Sequence, residues 1–144
     1  EGLPVGRKAD RLAFLHAAHL FTSSRQQERT KPGTELFKYR VHYADGQQLD
    51  IPVRVGQEVD HWILFGPTPP SNLPAARLAW YMPMERRRTD RPMSGGTLQL
   101  FSMEWKNPRP EIVISSIDIV RTVDQHLASP AVFAISLGQN NTAN

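Results

Sequence analysis

The chain has 144 residues, 40% of them apolar, with 12 prolines, no cysteine and a formal charge of +3. That length suits one domain around one core; no apolar run approaches the ~20 residues of a membrane-spanning helix, and the lack of cysteine excludes disulfides, a thiolate nucleophile and Cys-based zinc sites. The basic excess is slight and, apart from Arg86-Arg87-Arg88 with Arg91 nearby, unclustered, which argues against a phosphate-gripping surface for nucleic acid.

The sequence opens at Glu1 with neither an initiator Met nor a basic and apolar leader, as expected of a processed chain or, in our reading, a piece of a larger protein. Leu12 to Leu20 (LAFLHAAHL) has the composition of a helix or of a strand ending near His16. Leu12, Phe14 and His16 share one side at a period of two, so we expect a strand followed by a loop or short turn. Thr22 to Gly33 is polar, contains Pro32-Gly33 and reads as an exposed loop.

Phe37 to Val55 is the clearest stretch. Phe37, Tyr39, Val41 and Tyr43 alternate with Lys38, Arg40 and His42, and after Asp45-Gly46 the alternation resumes with Leu49, Ile51, Val53 and Val55. This predicts a hairpin with one buried face and a tight type I′ turn at Asp45-Gly46. A short strand follows around Trp62 to Phe65, and Gly66 to Pro74, with its four prolines, cannot be regular structure. Leu78, Trp80 and Met82 alternate with Ala79 and Tyr81 in a strand apolar on both faces, which predicts a central position with Trp80 in the core and Tyr81 exposed.

Glu85 to Ser94 reads as a basic loop ended by Gly95-Gly96. A strand with Phe101, Met103 and Trp105 on one face comes next, then a break at KNPRPE. In the β-branched run Glu111 to Val123 the apolar phase shifts between Ile114 and Ile117, which predicts a bulge at Ser115-Ser116. Ala131 to Leu137 is the last strand, within a single domain over 1–138, and 139–144 a flexible tail. Eight or nine short strands with turn signals about every ten residues predict an all-β antiparallel sandwich or jelly roll.

The segments GRKADRLAFLHAA, YRVHYADG, IPVRVGQEVDHW, EWKNPRPEIVISSIDIV and FAISL together resemble a galactose-binding-like jelly-roll domain of large secreted bacterial proteins, similar to carbohydrate-binding modules. The resemblance covers most of the chain and carries no catalytic signature. It implies a non-catalytic module of a larger extracytoplasmic protein that binds a polysaccharide or other glycan, with the parent protein's other domains as further partners. An assembly or protein-interaction domain is the alternative. The two polar loops, Thr22 to Gly33 and Glu85 to Ser94, depart from the pattern.

Sugar binding needs flat aromatic faces flanked by hydrogen-bonding side chains. Asp60, His61 and Trp62 offer one such group, with the rival reading that Trp62 plugs the core. Glu104 and Trp105 with Asn107 offer another, with the preferred rival reading that Trp105 packs and fixes the fold. Tyr81 adds a ring, and Arg86 in the triple arginine could grip an acidic group bidentately. His16 and His19 would share a helix face and could hold a metal, but on a strand they point to opposite faces. No cofactor is predicted; a structural Ca²⁺ is compatible with the sandwich class, using backbone carbonyls and a carboxylate such as Asp10 or Asp118. No nucleophile elbow, phosphate loop, HExxH or spaced acid pair occurs, so the sequence reads as a non-enzyme.

Overall fold

The computed structural model describes residues 2–20, 31–66, 68–87 and 92–139, the side chains of 85–87 and 92–94 excepted. Among the described residues there is no helix. The described residues form nine strands in two antiparallel sheets: β1 (Leu3–Arg7), β2 (Arg11–Leu20), β3 (Glu35–Tyr43), β4 (Gln48–Arg54), β5 (Ile63–Phe65), β6 (Arg77–Arg87), β7 (Pro92–Lys106), β8 (Ile114–Arg121) and β9 (Ala128–Gly138). The first sheet has the order β1-β8-β3-β4. In the second, β6 lies along one edge of β7, the other edge is shared by β2 and β5, and β9 pairs with the far side of β2. The expected all-β sandwich is therefore the fold.

The core follows from the period of two. Phe37, Tyr39, Val41 and Tyr43 are buried on β3, with Ile51 and Val53 beside them on β4. Facing them from the second sheet are Leu12, Phe14 and His16 of β2 and Phe101 and Met103 of β7. Phe14 stacks on Tyr39 with ring centroids 4.0 Å apart, and each such side chain contributes about 1.5–3 kcal/mol by leaving water.

Several expectations are met. The bulge in β8 lies at Ser115, where His42 pairs with Ser116 and Tyr43 with Ile114. No strand forms between Gly66 and Pro74 among the described residues, and β2 turns His16 inward and His19 to the other face.

Others need correction. The strand through His16 does not stop there: β2 continues to Leu20 because β9 supplies partners as far as Ala128. The hairpin turn is not type I′, since Asp45 has a negative φ and only Gly46 is left-handed, at φ 85°. Gly46 donates its N–H to the Tyr43 carbonyl and Tyr43 donates to Gln47, which makes a three-residue loop whose last residue is a glycine bulge. The polar stretch 85–94 is mostly strand, with Arg86 opposite Met93 and Arg87 opposite Pro92; residues 88–91 fall outside the described part, as do 21–30 and 140–144.

The largest departure concerns β6. Among the described residues it pairs only with β7 and is an outer strand, not a central one, and Leu78, Trp80, Tyr81 and Met82 are all exposed. An extra residue, Ala79, bulges where Leu78 pairs with Phe101 and Trp80 with Leu100. The bulge breaks the alternation, so Leu78 stays on the core-facing side while Trp80 and Met82 turn outward beside Leu100 and Leu98.

Candidate functional site

The loop from Val59 to Trp62 is held against β2 by main-chain bonds. Ala18 donates to the Asp60 carbonyl at 3.2 Å, Trp62 donates to the Ala18 carbonyl at 2.8 Å, and Gln99 of β7 donates to the Trp62 carbonyl at 2.9 Å. These bonds place Asp60, His61 and Trp62 at the junction of β2, β5 and β7.

Asp60 is absorbed into the scaffold. Its Oδ1 accepts the His61 N–H at 2.7 Å and its Oδ2 accepts the Ser71 hydroxyl at 2.7 Å. The buried Gln99 side chain closes the same network: its Oε1 accepts the Ser71 N–H at 2.8 Å, and its Nε2 donates to the His61 carbonyl at 2.7 Å. The Ser71 hydroxyl thus meets a carboxylate and an amide. His61 lies edge-on to His19 with ring centroids 5.2 Å apart, and its Nδ1 sits 3.2 Å from the Ala18 carbonyl. Burial holds its imidazole below the usual histidine range.

Trp62 is 37% exposed, and its indole N–H donates to His19 Nδ1 at 2.8 Å. That bond fixes the orientation of a large exposed ring and draws it to the outer face of the sheet, because β2 carries His19 on the side opposite His16. On the same outer face, across β7, stands Trp80, 46% exposed. In the main chain Trp62 lies opposite Gln99 and Trp80 opposite Leu100, on either side of β7, so about two strand spacings, roughly 10 Å, separate the two backbone positions. Phe65, opposite Gly96, also lies on this face and is exposed. Along β7 the face turns polar at Ser102 and Glu104, with Arg77 opposite Ser102. An open cleft of about 570 Å³ runs there between residues 72–78 and the Ser102 and Glu104 side chains.

The residues singled out from the sequence do not converge on one point. Glu104 shares the outer face but lies four residues beyond Leu100, about 13 Å. Trp105 is on the opposite side, half-buried beside Leu12 and packed on the core. Tyr81 is exposed, yet it sits opposite Gln99 on the core-facing side of β6, away from Trp62. Arg86 pairs with Met93, six residues from Gln99 and so about 20 Å away.

Two members of the outer face stand in roles the sequence reading did not give them: His19, weighed there only as a metal ligand with His16, and Trp80, assigned there to the core. His19 lies 43 residues from its partner Trp62, and the bulge that turns Trp80 outward has no composition signal. Among the described residues no three His, Asp or Glu side chains gather as metal ligands, and the Asp118 carboxylate accepts from or pairs with His42 Nε2 at 2.7 Å. No protein-family model, curated protein or solved structure matches the chain.

Proposed function

We propose that the protein is a non-catalytic carbohydrate-binding module that takes a polysaccharide on the outer face of its second sheet. The observation that supports this reading is the pair of exposed tryptophans, Trp62 and Trp80, whose backbone positions flank β7 about two strand spacings apart, with the Trp62 ring held by His19. Aromatic faces stack on the C–H side of pyranose rings, and a ring with its rotamer already fixed loses little entropy on binding. Arg77, Ser102 and Glu104 at the end of the strip offer hydrogen-bonding groups for hydroxyls. The resemblance to galactose-binding-like modules of secreted proteins points the same way, and with it an extracytoplasmic setting beside the parent protein's other domains.

Affinity electrophoresis and calorimetry against a panel of plant and algal polysaccharides test the proposal. Trp62→Ala and Trp80→Ala should each weaken binding about 5- to 150-fold, at ~1–3 kcal/mol per lost stacking ring by analogy with base stacking, while Tyr81→Ala leaves it unchanged. Retention of every polysaccharide by both variants, or no binding by the wild type, refutes it.

A second reading rests on Phe65 and Met82, which are exposed on the same face and offer nothing to a hydroxyl. A contiguous exposed apolar patch is also how a protein contact looks. Binding to another domain of the parent protein, lost in Met82→Lys with polysaccharide binding intact, would favour it.

A further inference from the structure

A different part of the molecule lacks closure. The sandwich is open along the flank where β1 and β8 of the first sheet face β9 of the second, leaving a groove of about 570 Å³. Its walls include core-facing residues of three strands. Leu3 pairs across strands with Ile117, Ile119 with Tyr39 and Leu137 with Leu12, and these partners are fully buried. Yet Leu3 is 51% exposed, Ile119 40% and Leu137 40%. Residues one strand spacing from a buried core position, on the same face, stay wet because no described residue covers the next position outward. No described strand pairs the free edges of β1 and β9.

We propose that this flank takes a single extended peptide strand, apolar at every second residue and acidic at the end that meets Arg7, which completes the sandwich. The shape decides for one strand over a second copy of the chain. Two concave flanks set face to face would enclose a hollow, whereas one strand, about 4.8 Å wide, enters a slot between sheets about 10 Å apart. The edges also limit the register. Pro4 and Pro130 remove donors, and Phe133 is an extra residue between Val132 and Ala134, which pair with His16 and Leu15; such devices normally discourage edge pairing. What remains uninterrupted is Ala134 to Gly138, five residues or about 17 Å, the length of β1 across the groove. No charged side chain occurs anywhere in β9, and Arg7 is the one charged residue of the described groove lining. The occupant is therefore neutral and alternating along its length, with a carboxylate for the guanidinium, in the manner of strand addition to an exposed edge.

The test joins a nine-residue Thr-Val strand ending in Glu to the start of the full chain through a Gly-Ser linker of about ten residues, which supplies millimolar effective concentration. Its control carries Ser and Gly in place of the strand. The Thr-Val chain should slow amide exchange within Ala134 to Gly138 at least tenfold and raise Tm by about 5 °C or more over the control. Ile119→Lys and, separately, Leu3→Lys in the joined chain should abolish both effects; two variants guard against one that misfolds. Equal exchange in the strand and control chains overturns the proposal. So does protection of Ala134 to Gly138 in the unextended chain that grows with protein concentration, since the occupant is then a second copy.

Discussion

His16 is enclosed by the core, and its surroundings fix both its tautomer and its response to acid. A carbonyl can only accept, so the 2.8 Å contact to the Glu58 carbonyl places the proton on Nε2. Nδ1 is then bare and accepts the Tyr39 hydroxyl at 2.8 Å. Burial among Phe37 and Tyr39 pushes the imidazole below its ordinary 6.5 and outweighs the opposing pull of Glu58. The folded form therefore refuses a proton that the unfolded chain accepts. Stability is fully present above about pH 6.5 and falls as the pH drops below it, by up to about 1.4 kcal/mol for each pH unit over which folded His16 stays neutral. His16→Gln removes the titration while retaining an acceptor for Tyr39 and a donor for Glu58. It should lose about 1–2 kcal/mol at pH 8, where only packing changes, and show a shallower decline between pH 6.5 and 5. Urea unfolding followed by tryptophan fluorescence at pH 5, 6, 7 and 8 measures both. His61, also depressed by burial, adds the same sign to both proteins and cancels in the difference. Identical slopes for wild type and His16→Gln would refute the argument.

Asn107 joins three segments: its Oδ1 accepts the Tyr43 hydroxyl at 2.6 Å and the Arg109 N–H, and its Nδ2 donates to the Ala9 carbonyl at 2.7 Å. Asn107→Ala strands at least two buried groups and should cost roughly 2–4 kcal/mol in urea unfolding. Gly46→Ala meets no atom within 4 Å, so its loss of about 1–2 kcal/mol is purely conformational, and Gly46→Asn should recover part of it. At Gly96 an added Cβ would sit 2.6 Å from the Leu64 carbonyl oxygen. Gly96→Ala should therefore loosen β5 from β7, seen as faster amide exchange at Leu64 and Phe65 with the core amides of β3 unchanged. Trp62→Phe keeps a ring but loses the bond to His19, and should bind polysaccharide with an affinity between wild type and Trp62→Ala.

The fold was legible where one strand's own pattern decides its environment. β3 and β4 alternate without interruption, and the phase slip from Ile114 to Ile117 announces the bulge that β8 contains. Legibility ends where a neighbouring strand decides. Trp80 sits in a run apolar on both sides, which is how a central strand reads, yet β6 has one partner and a bulge at Ala79 reassigns its faces. Asp45-Gly46 marked the turn correctly, but its type depended on φ at a single residue. The site was half visible: Trp62 and Glu104 do lie on the outer face, whereas its orienting partner His19 comes from a strand 43 residues away, a distance no local pattern spans.

The placement of β2 sets the order in which the chain can become a protein. β2 holds Leu12, Phe14 and His16, leaves the chain among the first strands, and finds its two neighbours only at residues 92–106 and 128–138. Until those arrive, a ten-residue, largely apolar strand has only the bridge from Ala18 to His61 and otherwise open edges. Such long-range closure belongs with folding on the millisecond-to-second scale. A chain cut before Ala128 would leave the β9 side of β2 bare, a template for aggregation in place of an intermediate that can wait.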